Sequence, residues 1–198
     1  MEEKILKLFS YNHKLKFNEI EKALKIRSNK LDYHLKKLIL KEILTKKKDY
    51  YHLSDSCEYL LPYLSDKRHV LPVILIHIGD NKDAFLIERK KRPYYGKISL
   101  PGGRLLLGES ISDAVKRIMW TKFKIRSKIK TINSISLENV KNIKETIHSY
   151  LLIYVHAKAD VLLTNVKKNK KRIIESDYKL ITTHYKKRTE IKTIDSKV

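Results

Sequence analysis

The apolar residues of the chain change their period partway along it, and no other feature constrains the fold as strongly. Up to about Ser54 they recur at intervals of three and four: Ile5, Leu6, Leu8 and Phe9, then Phe17, Ile20, Ala23 and Leu24, then Leu31, Leu35, Leu38 and Ile39. That spacing places apolar stripes on three successive helices. From Ile43 the period shortens. Ile43 to Lys46 and Tyr50 to Leu53 read as a small β-hairpin around the polar tip Lys47-Lys48-Asp49. Val73 to Ile78, Ala84 to Glu88, Thr131 to Leu137 and His148 to His156 read as further strands, with one helical stretch from Ile111 to Phe123 between the second and third. A helical block followed by strands interleaved with a helix predicts an α+β chain of two domains. The polar run Ser65-Asp66-Lys67-Arg68 marks the boundary, giving domains 1–65 and 66–198, with Glu58 to Leu64 as a short connecting helix interrupted at Pro62.

Charge narrows the partners. Forty-four Lys and Arg against 22 Asp and Glu leave a formal +22, which favours polyanions such as nucleic acid or phosphorylated ligands. The single cysteine, Cys57, excludes an internal disulfide framework and a clustered cysteine metal site, and fits a reducing cytoplasm. Val70 to Ile78 and Tyr150 to Ala157 are the most apolar stretches and are too short to span a bilayer, and the acidic start Met1-Glu2-Glu3-Lys4 has no apolar signal core. A cytoplasmic protein with no membrane partner is expected. After Lys158 the chain is Lys-rich, and the apolar pairs Ile173-Ile174 and Leu180-Ile181 are expected to add a last strand or helix.

The stretch from Phe17 to Leu38 contains an Ala23-Leu24 pair, a polar turn and the run His34-Leu35-Lys36-Lys37-Leu38. It resembles the helix-turn-helix of ArsR-like winged-helix regulators, in which the second of these helices reads DNA and the following hairpin forms a wing. Ser28 or Asn29 is placed to cap that helix while Leu31, Leu35 and Leu38 bury one side. The other side carries Asn29, Lys30, Asp32, Tyr33 and Lys36, a mixture suited to base edges and phosphates in the major groove. Lys47 and Lys48 on the wing would meet phosphates. Glu42 departs from the family, which turns with a glycine there.

A second pattern begins at Pro101. Gly103, Glu109 and Arg117 are spaced as in the Nudix box of nucleoside diphosphate-X hydrolases, and Lys97 to Leu100 resembles the strand leading into it. The resemblance implies an α/β/α sandwich with a mixed sheet. In family enzymes three glutamates from the second half of the box hold Mg²⁺ against a pyrophosphate. Here those positions carry Ile118, Thr121 and Lys122, and the late glycine is Lys124. An aliphatic group, a hydroxyl and an ammonium cannot replace carboxylate ligands, so no metal or other cofactor is expected. Gly102 and Gly103 permit a tight loop, and Arg117 can tie the helix to it through its planar fork. Glu109 is either a residual proton-transfer group or a loop brace.

Non-catalytic Nudix domains serve as sensors of ADP-ribose-like nucleotides in transcription regulators, although the familiar ones place the winged helix after the Nudix domain. Arg89, Lys90, Lys91 and Arg92 follow a strand end and offer cations to phosphates. Arg89, Arg92, Gly102, Gly103, Arg104 and Lys122 are therefore the expected ligand-binding residues, and double-stranded DNA, a phosphorylated small molecule and a second copy of the chain the expected partners. This reading is a ligand-responsive transcription regulator. Two others stand beside it: a Nudix pyrophosphohydrolase with an atypical Mg²⁺ site, and a protein- or RNA-binding adaptor.

Overall fold

The computed structural model describes residues 1–63 and 69–192. The run Ser65 to Arg68 read as the boundary, and Leu64 at the end of the connecting helix, lie outside the described residues. The chain divides into two compact units, Met1–His69 and Val70–Val198.

The N-terminal unit runs α1 (Glu2–Phe9), β1 (Leu15–Lys16), α2 (Phe17–Leu24), α3 (Ser28–Leu40), β2 (Leu44–Lys47), β3 (Tyr50–Leu53) and a 3₁₀ helix (Asp55–Tyr63). The strands form an antiparallel sheet ordered β1-β3-β2. Its core is what the helical spacing demands: Ile5, Leu6, Phe9, Ile20, Leu31, Leu35 and Leu38 from the helices, closed by Leu44 and Tyr51 from the sheet. Two details differ from expectation. The 3₁₀ helix runs through position 62 without interruption, since proline costs little where no i−4 hydrogen bond is required. Neither Ser28 nor Asn29 caps α3: both are already helical residues and the cap position is Arg27, without a side-chain bond, while the Ser28 hydroxyl donates to the Glu21 carboxylate of α2. Glu42, in the turn after α3, takes a left-handed φ of 57°.

The C-terminal unit is a mixed α+β fold. Its elements are β4 (Leu71–His77), β5 (Asp83–Ala84), β6 (Ile87–Glu88), β7 (Ile98–Ser99), β8 (Gly102–Arg104), α4 (Ile111–Phe123), β9 (Lys128–Lys141), β10 (Thr146–Lys158), β11 (Thr164–Asn165) and α5 (Glu175–Lys179), the last continued by a π-helical turn, Leu180–His184. The expected strand from Ala84 to Glu88 is two short strands, β5 and β6, which pair with β11 and β7 respectively. The main sheet is ordered β8-β4-β10-β9, with β4 and β10 parallel and the outer pairings antiparallel.

The central strands alternate between two cores, which explains their nearly unbroken apolar runs. Ile74, Ile76, Ile153, Val155 and Ala157 face Ala114, Val115, Ile118 and Met119 of α4. Leu75, Leu152 and Tyr154 face the opposite layer, filled by Ile98, Leu100, Val166, Ile173, Leu180 and Ile181. Both apolar pairs of the tail are thus core residues flanking α5. α4 starts at a true cap, Ser110, whose Oγ accepts from the Asp113 backbone amide at 3.1 Å.

Candidate functional site

On the α5 side of the sheet a cavity of about 260 Å³ opens between the ends of several elements. β4 and β10 supply an apolar floor of Val73, Leu75 and Leu152, and β8 contributes Gly102, Gly103 and Arg104. Arg89 and Tyr94 enter from the segment after β6, Lys122 from α4, Glu138 from β9, Tyr150 from β10 and Asp177 from α5. Five of the six residues expected to bind a ligand, Arg89, Gly102, Gly103, Arg104 and Lys122, therefore line one cavity. Arg92 does not. The backbone folds back on itself, Arg89 N donating to Lys97 O at 2.8 Å and Gly96 N to Arg89 O at 2.9 Å. This turns Arg89 and Tyr94 inward and leaves Arg92 exposed at the tip.

The glycines work differently from the expected tight turn. Both lie in β8, and neither has a positive φ. A Cβ on Gly102 would stand 2.6 Å from the Ile74 carbonyl oxygen, and one on Gly103 would stand 3.0 Å from Ile118 Cγ1. They are required for close approach of β8 to β4 and α4.

The cavity combines both signs of charge. Lys122 is exposed overall, yet its ammonium donates to the Gly102 carbonyl. Desolvation first, then the positive charges of Arg89, Lys91 and Arg117, hold its pKa below the usual lysine value. Arg89 is braced by its own loop, Nε donating to Pro93 O at 3.0 Å. On the opposite wall Asp177 is 3% exposed and accepts a hydrogen bond from the Leu100 amide at 2.8 Å. Burial, reinforced by the charge of Glu138, pushes it from 3.8 up to about 7. Tyr94 Oη donates to Glu138 at 3.4 Å, and burial together with that carboxylate raises its pKa to about 12.

The residual box residues sit apart from the cavity lining. Glu109 receives two bonds from Arg117, Nε to Oε1 at 2.5 Å and Nη2 to Oε2 at 2.8 Å, and the same Nη2 reaches the Arg104 carbonyl at 2.9 Å. Arg117 thereby ties α4 to the preceding loop, and its fork holds the Glu109 carboxyl below its ordinary pKa. The donor set does not suit Mg²⁺. Ile118 is 1% exposed within the α4 core, Lys122 brings a cation, and Glu109 is engaged by a guanidinium. Among the described residues no group of three or more His, Cys, Asp or Glu is placed to hold a metal. Lys124 leaves the site altogether, its ammonium lying 5.8 Å from the Trp120 ring centroid and its backbone at a left-handed φ of 60°.

In the N-terminal unit Asn29, Lys30, Tyr33 and Lys36 are exposed along α3, and Lys47 and Lys48 are exposed at the hairpin tip. Lys36 is paired with Asp32 at 2.7 Å and Lys37 with Glu2 at 3.1 Å.

Sequence reasoning missed Tyr94, Glu138, Tyr150 and Asp177. A signal existed for Asp177: it falls at helical spacing between Ile173-Ile174 and Leu180-Ile181, which puts a carboxyl on an otherwise apolar face. Glu138 and Tyr150 are cross-strand partners in the β9–β10 register, and no local pattern announces that.

No family model matches the chain, and no curated protein matches it. Among solved structures, a NUDIX hydrolase from Nitrosomonas europaea is similar with a TM-score of 0.52 at 15% identity, covering 61% of this chain and 92% of its own. The MutT protein from Methanosarcina mazei Go1 aligns with a TM-score of 0.47 at 15% identity, covering 61% and 96%. A UDP-X diphosphatase aligns with a TM-score of 0.46 at 15% identity, covering 80% of each chain. The first of these likenesses establishes a Nudix-like fold. Among the described residues no helix is long and apolar enough to cross a membrane.

Proposed function

We propose that the C-terminal unit binds a phosphorylated small molecule of nucleotide or ADP-ribose type without hydrolysing it, and that the N-terminal unit binds duplex DNA, making the chain a ligand-responsive regulator. The observation that carries the first half is the convergence of Arg89, Arg104 and Lys122 on the β8 cavity, while the positions of the metal carboxylates are taken by a core isoleucine, a threonine and that same lysine. Cations beside closely approached backbone suit phosphate oxygens, and acceptors such as Glu138 across the cavity suit hydroxyl or amine donors of the same ligand. Support for the second half is the exposed face of α3, Asn29, Lys30 and Tyr33, beside a lysine-tipped hairpin. Paired units reading paired half-sites would make it a dimer.

A pyrophosphohydrolase of nucleoside diphosphate derivatives is the second reading. The Nudix-like fold, shared with a NUDIX hydrolase, favours it over the regulator, and the donor set disfavours it. Incubation of pure protein with nucleoside diphosphate-X compounds and Mg²⁺ or Mn²⁺, followed by phosphorus NMR, separates the two. Binding without turnover is expected. Robust metal-dependent turnover, abolished by Glu109→Gln, would establish the hydrolase. For DNA, Lys47→Ala with Lys48→Ala should weaken all sequences alike, whereas Asn29→Ala or Tyr33→Ala should weaken a preferred site selectively. Equal losses on every sequence would remove α3 as the reading helix.

A further inference from the structure

We infer that Lys122 is a built-in counter-cation: its ammonium, anchored on the Gly102 carbonyl, occupies the place and the electrostatic role of a divalent ion, so that the cavity takes a pyrophosphate-type anion without metal. The inference deepens the ligand-binding reading above and rests on it.

Three observations lead there. First, the ammonium is positioned by the fold. It donates to Gly102 O and would lie 3.7 Å from a Cβ built on Gly103, so it stands over the part of β8 that has no side chains of its own. One donor is used by the carbonyl, and an ammonium carries three. Second, the neighbouring position is closed to metal. Ile118, one turn before Lys122, is packed under Gly103 with its Cγ1 at 3.0 Å from that same built Cβ, and a carboxylate there would be buried among Ile74, Val115 and Met119. Third, the field around Lys122 is positive. The charges acting on it, after desolvation, are those of Arg89, Lys91 and Arg117, and Arg89 and Arg104 line the same cavity. Holding cations together in a partly desolvated space is unfavourable, and an anion between them relieves it. A dication at that spot would add to the repulsion.

The test is calorimetric titration of the full chain with inorganic pyrophosphate, in chelator and again with Mg²⁺. Lys122→Gln retains a donor for Gly102 O and removes the charge, Lys122→Arg retains the charge, and Lys168→Gln, an exposed lysine outside the cavity, controls for the net basicity of the chain. The expected result is one-site binding that survives chelator, falls at least tenfold in Lys122→Gln, is largely kept in Lys122→Arg and is unchanged in Lys168→Gln. Binding that requires Mg²⁺ overturns the inference. So does undiminished affinity in Lys122→Gln; if Arg89→Gln then loses affinity, the cavity remains an anion site and only the role of Lys122 is refuted. Absence of binding in the wild type, or an equal loss in Lys168→Gln, refutes the ligand-binding reading itself. Unfolding of each variant, followed by Trp120 fluorescence, confirms that a loss of affinity is not a loss of fold.

Discussion

Asp177→Asn should abolish the pH dependence that this one buried carboxyl imposes on the C-terminal unit. The native carboxyl titrates near 7 instead of 3.8, so between those values the folded state holds a proton that the unfolded chain has released. Stability from this group is present at low pH and is lost as pH rises, by about 1.4 kcal/mol per unit. Carried across the whole gap, the loss is on the order of 4 kcal/mol, and between pH 5 and pH 8 it is about 2–3 kcal/mol. Asparagine cannot ionise, and its carbonyl can still accept from the Leu100 amide, although its extra amide hydrogen costs about 1–2 kcal/mol if left without a partner. At pH 5 the aspartate has already lost about 1.6 kcal/mol, which matches the cost of the asparagine, so mutant and wild type are expected to be of similar stability there and the mutant the more stable at pH 8. The wild-type profile alone is not diagnostic, because His77 runs the other way. Burial lowers its pKa to about 4, so its contribution is lost as pH falls below about 6.5. Subtracting wild type from mutant cancels His77. Urea unfolding read by Trp120, the single tryptophan and a residue of α4, reports on this unit. A mutant-minus-wild-type difference that stays flat from pH 5 to pH 8, or moves in favour of aspartate, would refute the reasoning.

Restoring a box glutamate by Ile118→Glu should cost several kcal/mol, since it buries a charge in an apolar core; the same fluorescence assay measures the loss, and no Mg²⁺-dependent turnover should accompany it. Gly102→Ala should destabilise more than Gly103→Ala, because its Cβ meets the Ile74 carbonyl at 2.6 Å whereas the Gly103 Cβ meets a movable Ile118 side chain; equal unfolding midpoints would contradict that order. Arg117→Met should lose about 1–3 kcal/mol by stranding Glu109, at the low end because Arg117 is 35% exposed. Lys124→Gly should raise the free energy of unfolding by up to about 1 kcal/mol, read as a higher urea midpoint, since glycine accepts the left-handed conformation that lysine is held in.

The sequence by itself determined what is local. Helical spacing placed α4 at the bounds the structure shows and named the helical residues of the N-terminal core. Continuous apolar runs marked β4 and β10 as buried strands. Single side-chain identities put Ile118, Thr121 and Lys122 at the positions where the Nudix box that this stretch resembles carries glutamates. These features depend on neighbours three or four residues away, or on the identity of single side chains. Tertiary structure decided whatever depends on distant pairing. Ser28 fell inside α3, its hydroxyl donating to a glutamate of another helix, and the Ala84 to Glu88 stretch broke because its two halves found different partners. Gly102 and Gly103 proved necessary for approach and not for turning. Glu138, Tyr150 and Asp177 reached the cavity only through the β9–β10 register and the return of α5 over the sheet. Arg89 and Arg92 have the same chemistry three residues apart, yet only Arg89 lines the cavity, because backbone bonds to Lys97 and Gly96 fix which way the loop turns. Period and composition describe what each segment can bury; which segments meet, and so which charges share a cavity, is set by contacts between residues far apart in the chain.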